Sequence, residues 1–71
     1  MVKEDMIGKL DFYFKELKRI HISCSGNIFY NGVIYLINNK KDFILFVDDK
    51  LGVVPIMFEE INRIEPFMEK K

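Results

Sequence analysis

The sequence predicts a small, mainly β domain in which one N-terminal α-helix precedes a five-stranded, strongly bent barrel. Apolar residues recur at helical spacing over residues 3–18, whereas short alternating or continuous apolar runs follow over residues 20–66. Clusters of Gly, Pro, Asn and Asp separate these runs, and such clusters form turns. Gly32 lies inside the longest run, where a glycine marks a sharp bend or a bulge. Residues 1–71 are therefore expected to form one domain, with residues 67–71 as a loose tail.

The N-terminal helix is predicted by a single apolar stripe. Its members are Met6, Ile7, Leu10, Tyr13 or Phe14, and Leu17. Acidic residues near the start of this segment and basic residues near its end suit the helix dipole. We expect this helix to pack on the edge of the barrel. A helix that lies on a membrane surface is the alternative, although its polar face mixes acidic and basic residues instead of being basic.

Five strands are predicted from the short apolar runs. They cover residues 20–25, 28–37, 43–47, 53–58 and 61–65. The first strand alternates between apolar and polar residues, which indicates that one of its faces is buried. The third has five apolar residues in a row, which indicates burial on both faces. The fourth contains Pro55, which cannot donate a ladder hydrogen bond, so this strand is predicted to be an edge or to carry a bulge.

The composition excludes several classes of protein. Eleven basic and eleven acidic residues cancel, so no overall positive field draws the chain to nucleic acid. A hydrophobic fraction of 49% is too high for a disordered chain. No apolar run approaches the ~20 residues of a membrane span. The first residues lack the pattern of a signal peptide, and the single cysteine fits a reducing compartment, so we expect a cytoplasmic protein.

Association with other subunits is the expected source of additional stability. A domain of this size buries only about 60% of its unfolded-chain surface, so its core is marginal. One cysteine cannot form a disulfide within the chain, and one cysteine with one histidine cannot complete a structural zinc site.

Residues 20–66 resemble the Sm-like family, which includes the bacterial RNA-chaperone rings and the archaeal and eukaryotic Sm proteins. The resemblance lies in an alternating strand followed by two glycines, and in a final strand that ends at a proline. The matching residues are Ile20, Ile22, Cys24, Gly26, Phe29, Gly32, Ile34, Ile61, Ile64 and Pro66. Asn38 and Asp42 stand where the family has an Asp and an Asn. Small divergent Sm-like proteins also occur in phages.

This resemblance implies an SH3-like barrel that assembles into a ring of about five to seven subunits, with the fourth strand of one subunit paired to the fifth strand of the next. It also implies RNA binding at loops that line the pore. The bacterial rings contact uridine-rich RNA through an adjacent Lys-His pair, and Phe58 and Glu59 stand at those positions here. The Arg-Gly of the other Sm proteins is absent as well.

The third and fourth strands predict a subunit interface independently of the resemblance. A five-stranded barrel has one interior, so a second apolar face would be an exposed patch on a monomer. The predicted interface consists of Ile44, Phe46, Val53, Met57, Ile61 and Ile64, of which the first four form the outer face. A cyclic homo-oligomer would cover this face and its open strand edges. The alternative is a monomeric SH3-like barrel whose N-terminal helix covers the outer face.

The turn between the second and third strands is the strongest nucleic-acid candidate. It contains Asn38, Asn39, Lys40 and Lys41. A ring would repeat these amides and basic side chains around its pore. Three aromatic side chains can stack on bases if they are exposed: Tyr30, Tyr35 and Phe58. Because Asp42, Glu59 and Glu60 repel phosphate, the competing hypothesis is an assembly module that has lost RNA binding and contacts a protein partner.

No catalytic group is predicted. His21 faces away from the core and Cys24 faces into it, since residues three apart on a strand lie on opposite faces, so the two do not form a catalytic pair. The acidic pairs Asp48-Asp49 and Glu59-Glu60 lack the spacing of a calcium loop, and we interpret them as surface acids, the first pair in a turn. The sequence therefore predicts a non-enzymatic protein without a metal site or a cofactor.

Overall fold

The fold consists of one helix and one five-stranded antiparallel sheet, seen in a computed structural model that describes residues 3–67. The elements are α1 (Lys3–Glu16), β1 (Ile20–Cys24), β2 (Ile28–Asn38), β3 (Phe43–Asp48), β4 (Gly52–Met57), a 3-10 turn (Phe58–Glu60) and β5 (Ile61–Pro66). The strand order is β4-β3-β2-β1-β5. This confirms the predicted mainly β fold with one N-terminal helix and five strands. Over the described residues, ladder hydrogen bonds do not close the sheet, because β4 and β5 are its two edges.

Helix α1 packs one face against the sheet. Met6 and Leu10 are buried in the core, and three further members of the predicted stripe pack against that core: Ile7, Tyr13 and Phe14. The stripe is therefore confirmed over most of the helix. Phe12 lies outside the stripe and is 53% exposed. Within the described residues, no helix is long and apolar enough to cross a membrane.

Helix α1 ends at Glu16, two residues before its predicted end, because Leu17 adopts a left-handed conformation with a φ of 52°. The N–H of Lys18 donates to the carbonyl of Tyr13 at 3.1 Å, and the N–H of Leu17 donates to that of Phe14 at 3.2 Å. These two bonds form a Schellman cap. The prediction that Leu17 belongs to the buried stripe is wrong: the cap turns the chain out of the helix, and the side chain is 74% exposed.

Strand β2 belongs to two hairpins that meet at Gly32. Residues up to Gly32 pair with β1, and residues from Gly32 onward pair with β3, with a register shift between Ile34 and Leu36. A Cβ atom at Gly32 would lie 1.8 Å from the carbonyl oxygen of Val47. Only glycine therefore fits at this point, and the physical reason is the close approach of the β3 backbone.

The core is one apolar cluster formed by α1 and the inner face of the sheet. Its residues are Met6, Leu10, Ile20, Ile22, Cys24, Ile34, Ile44, Phe46, Ile56, Phe58, Ile61 and Ile64. The predicted outer position of Ile44 and Phe46 is wrong, because both side chains are fully buried. A strand of consecutive apolar residues does not reveal by periodicity which of them face inward. Ile61 and Ile64, also predicted to lie at the interface, are buried in the same cluster of a single subunit.

The segment after β5 is held at its first residue. The N–H of Phe67 donates to the carbonyl of Arg19 at 3.0 Å, and the guanidinium carbon of Arg19 lies 4.7 Å from the centre of the Phe67 ring. The prediction of a loose tail from residue 67 is therefore wrong for Phe67. The rest of the predicted tail, residues 68–71, lies outside the described residues.

Candidate assembly edges and nucleic-acid loop

Strand β4 presents an open backbone edge. The N–H of Phe58 donates to the carbonyl of Asp42 at 2.8 Å, which extends the β3–β4 ladder by one pair. Because ladder bonds alternate along an antiparallel pair, every second residue of β4 turns its backbone groups toward the open edge. These residues are Val53, Pro55 and Met57. Pro55 therefore costs the β3–β4 ladder no hydrogen bond, and its predicted position on an edge strand is confirmed.

The open edge of β4 is rich in acceptors and poor in donors. Pro55 has no N–H, and the N–H of Met57 donates to the Glu60 carboxylate at 3.3 Å. The carbonyl groups along this edge can still accept hydrogen bonds. Such an edge resists the addition of an arbitrary strand, yet it suits a strand that supplies its own N–H groups at matching positions.

The side chains beside this edge form an outer apolar face. Val53 and Met57 are 56% and 39% exposed, as predicted for these two residues. Pro55 is exposed as well. Across from these three residues, β3 contributes three half-buried apolar side chains, Phe43, Leu45 and Val47. Strand β4 carries no charged residue, so this face could be covered without desolvating an ion.

Helix α1 does not cover the outer apolar face. Its buried residues, Met6 and Leu10, belong to the core cluster on the inner side of the sheet, while Val53 and Met57 remain exposed on the outer side. The monomeric alternative requires a helix that covers this face. The described residues do not meet that requirement.

Strand β5 presents the second open edge. The hydrogen bond from Phe67 to Arg19 fixes the alternation of the β1–β5 ladder, so the backbone groups of Ile64 face away from β1. The side chain of Ile64 is buried in the core. Pro66 lies at the same edge and has no N–H to donate. Each of the two open edges thus carries one proline.

The predicted nucleic-acid turn is held in shape by Asn38. The side-chain oxygen of Asn38 accepts hydrogen bonds from the N–H groups of Lys40 at 3.1 Å and Lys41 at 2.9 Å, as in an Asx turn. The side chains of Asn39, Lys40 and Lys41 are exposed. Tyr35, one of the predicted stacking residues, is 63% exposed. Asn38 therefore acts as a structural residue that presents its three neighbours to solvent.

Phe58 is not an exposed surface for base stacking, contrary to the prediction. Its N–H continues the β3–β4 ladder, so its side chain points to the inner face of the sheet, like every second residue of β4. The side chain is only 4% exposed. A cavity of about 520 Å³ lies beside it, and Lys41, Asp42 and Glu59 are among its lining residues. The structure thus brings Lys41 and Phe58 to one cavity, but two carboxylates share it.

The turn after β3 is organised by Asp48. The prediction of a surface acid is wrong for this residue, which is 8% exposed. Its carboxylate accepts hydrogen bonds from the N–H groups of Asn31 at 3.0 Å, Lys50 at 2.9 Å and Leu51 at 3.0 Å. Burial alone would raise the pKa of this carboxyl, but the three donors and the charge of Lys50 outweigh burial and lower the pKa below its ordinary value. The predicted turn is confirmed, with Asp48 as its buried anchor.

The histidine and the cysteine lie on opposite faces of β1, as predicted. Cys24 is buried, and this burial, together with the charge of Glu60, raises the pKa of its thiol to about 11. The ring of His21 stacks on Phe29, and its Nδ1 lies 2.6 Å from Oδ1 of Asn31. Among the residues that the structure describes, no three His, Cys, Asp or Glu side chains are grouped so as to hold a metal ion.

A groove between α1 and β5 is absent from the predictions made from sequence. It has a volume of about 1080 Å³, and it is lined by Gly8, Phe12 and Tyr13 of α1 and Asn62 and Ile64 of β5 together with five charged residues, Glu4, Asp5, Lys9, Arg63 and Glu65. The position of Phe12 in the sequence could have indicated this groove, because a large aromatic residue outside the apolar stripe of a helix does not face the core.

Comparison with protein-family models, curated proteins and solved structures finds no match for this chain. The resemblance to the Sm-like family therefore rests on the residues of the chain itself.

Proposed function

We propose that this chain is a non-enzymatic, Sm-like protein whose copies associate head to tail into a closed ring of about five to seven subunits. The observation that carries this proposal is the pair of open sheet edges, β4 and β5, at opposite ends of the strand order. An interface between two different edges leaves one edge of each kind free after every addition, so subunits add until the ring closes. Closure then removes both open edges.

The outer apolar face supports association at β4 in particular. Val53, Pro55 and Met57 are exposed beside an open edge on a strand without charge. Removing apolar surface from water at an interface stabilises the assembly by about 25 cal/mol per Å² of buried surface. A chain of 71 residues with a marginal core gains stability from such burial. We place the protein in the cytoplasm on the argument that its only cysteine is a buried free thiol.

Native mass spectrometry of the wild type and two matched variants tests the proposed assembly. Val53→Asp places a charge on the outer face without altering a core residue, whereas Leu17→Asp changes an apolar residue outside β4 that is even more exposed, at 74% against 56%. We expect one ring species for the wild type and for Leu17→Asp, and dissociation of the ring for Val53→Asp. A monomeric wild type would overturn the proposal, and so would a ring that survives Val53→Asp unchanged.

Binding of RNA or single-stranded DNA at the pore turn is a second candidate function. The observation that favours it is the exposure of Lys40 and Lys41 on a turn fixed by Asn38. A ring would place several such lysine pairs around one pore, so a weak contact would be multiplied. The neutral net charge and the acidic residues beside the cavity of Phe58 act against strong binding.

Fluorescence anisotropy with labelled oligo-U and oligo-A decides between this candidate and a purely structural role. For RNA binding we expect an affinity that falls as salt rises, and a further loss in the double variant Lys40→Gln/Lys41→Gln. If an intact ring binds neither oligonucleotide at low salt, RNA binding is excluded as the function. The remaining hypothesis is then an assembly module that contacts a protein partner.

A further inference from the structure

We propose that the cavity beside Phe58 receives a lysine or arginine side chain of a protein partner. The methylene groups of this side chain contact the floor of the cavity, and its cationic head lies at the carboxylates of Asp42 and Glu59. This inference goes beyond the proposed ring. All the residues that line the cavity belong to one subunit, so the inference does not depend on ring closure.

Two turns of the chain meet at this cavity. The N–H of Phe58 donates to the carbonyl of Asp42 at 2.8 Å, so the end of the turn between β2 and β3 lies beside the 3-10 turn. The N–H of Met57 donates to the Glu60 carboxylate at 3.3 Å, which fixes the 3-10 turn that also carries Glu59. Asp42 and Glu59, which belong to different turns, therefore line one cavity.

The floor of the cavity is apolar. Met6, Phe58 and Ile61 line it, and none of them is more than 6% exposed. The volume of about 520 Å³ falls within the range of about 300–1,000 Å³ that is typical of ligand sites. Lysine and arginine bury their methylene groups against apolar surface and keep their charge near water, so a floor of this kind suits them.

The rim of the cavity is polar, and its charge favours a cation. Lys41, Glu59 and Asn62 are exposed there, and Asp42 is half-buried. Two carboxylates and one ammonium group give the rim a net charge of −1. One cationic side chain of a partner neutralises this charge, whereas a phosphate group would add to it. The ammonium group of Lys41 and the amide of Asn62 are donors for backbone carbonyls of the partner.

The groove between α1 and β5 extends this charge balance, because Asn62 lines both the groove and the cavity. Arg63 and Glu65 in this groove pair with each other at 3.2 Å. Its other charged residues lie on α1 and are two acids and one base, namely Glu4, Asp5 and Lys9. A second basic residue of the partner would therefore meet a second surface with an excess of acid, which favours a basic peptide segment over a single small cation.

NMR of protein labelled with ¹³C at the methionine methyl groups tests this inference, because Met6 lines the cavity. The Met6 signal is assigned by its loss in Met6→Leu. The probes are the blocked peptide acetyl-Gly-Lys-Gly-Lys-Gly-amide and its arginine counterpart. Two control peptides have the same length: one carries Nε-acetylated lysines, which have no charge, and the other carries glutamates.

We expect the Met6 signal to shift with at least one of the cationic peptides and with neither control peptide. Glu59→Gln removes one carboxylate from the rim and should raise the dissociation constant of the cationic peptide about two- to fivefold, which is the effect of one ion pair at a partly exposed site. The matched control is Glu16→Gln, which removes an exposed carboxylate that does not line the cavity and should leave the dissociation constant unchanged.

A Met6 signal that responds equally to the cationic and the neutral peptides, or to none of them, would overturn the inference. Equal dissociation constants for Glu59→Gln and Glu16→Gln would overturn it as well, because the attraction would then come from the net charge and not from the cavity. A signal that shifts with oligo-U but with neither cationic peptide would assign the cavity to nucleic acid instead. A monomeric wild type that binds a cationic peptide through Glu59 would contradict the proposed ring and support this inference.

Discussion

Gly32→Ala tests the close approach of β2 and β3, on which the arrangement of the two hairpins depends. The added Cβ would lie 1.8 Å from the carbonyl oxygen and 2.9 Å from the carbonyl carbon of Val47. Both are backbone atoms of a paired strand, so no side-chain rotation relieves the contact and the strands must separate. Overpacking costs about 1–3 kcal/mol, and the backbone contact places this variant at the upper end, at a loss of about 3 kcal/mol.

This loss is large for so small a domain. A chain of this length is stabilised by about 4–11 kcal/mol, and a loss of about 3 kcal/mol lowers the melting temperature by about 12–24 °C. Gly8→Ala is the matched control, because it adds the same methyl group to α1 with no atom within 4 Å. Alanine in a helix is favoured over glycine by about 1 kcal/mol, so this variant should be more stable than the wild type.

Circular dichroism during thermal and urea unfolding measures both variants. The subunit concentration must be the same for each chain, since association makes the melting temperature depend on concentration. A Gly32→Ala chain that melts within about 2 °C of the wild type would mean a loss of under about 1 kcal/mol. The β3 backbone would then not be in contact with Gly32.

Three further predictions follow from single residues. Leu17→Gly should raise the unfolding free energy by about 1 kcal/mol in urea titrations, because glycine adopts the left-handed conformation at the helix cap without steric cost. A decrease in the unfolding free energy would contradict the claim that Leu17 is strained at this cap. Asp48→Asn should cost about 1–3 kcal/mol at pH 7, because a donor replaces an acceptor that faces backbone N–H groups. The folded-state pKa of Asp48 lies below its ordinary value of 3.8, so its contribution is complete above pH 3.8 and is lost as the pH falls through the folded-state pKa. The difference in unfolding free energy between Asp48→Asn and the wild type should therefore shrink in acid. A difference that stays constant from neutral to strongly acidic pH would refute this prediction. Cys24 should react with iodoacetamide at pH 8 far more slowly in the native protein than in urea, because its thiol is buried and its pKa is raised to about 11; equal rates would show that the thiol is accessible.

The sequence predicted the elements of this fold more accurately than their faces. In β1, Ile20, Ile22 and Cys24 alternate with polar residues, so the pattern itself marked the buried side. In β3 the five residues 43–47 are all apolar, so no alternation marks a side, and Ile44 and Phe46 were assigned to the wrong face. Their orientation is set by pairing with β2 and β4, and this information lies outside the strand.

Features that depend on local chemistry were predicted better than those that depend on distant contacts. Pro55 indicated an edge strand because a missing N–H is a property of the residue itself. The burial of Asp48 depends in part on the N–H of Asn31, which belongs to another strand. The groove beside Phe12 depends on how α1 lies against β5, at opposite ends of the chain, and no spacing along the sequence encodes that placement.

The mass of the protein in solution, measured by light scattering at low and at high salt, tests the proposed assembly most directly. Head-to-tail pairing through an uncharged strand predicts a mass of about five to seven times the 8.5 kDa subunit mass at both salt concentrations, because screening acts on charges. A mass of 8.5 kDa at both concentrations would contradict the ring.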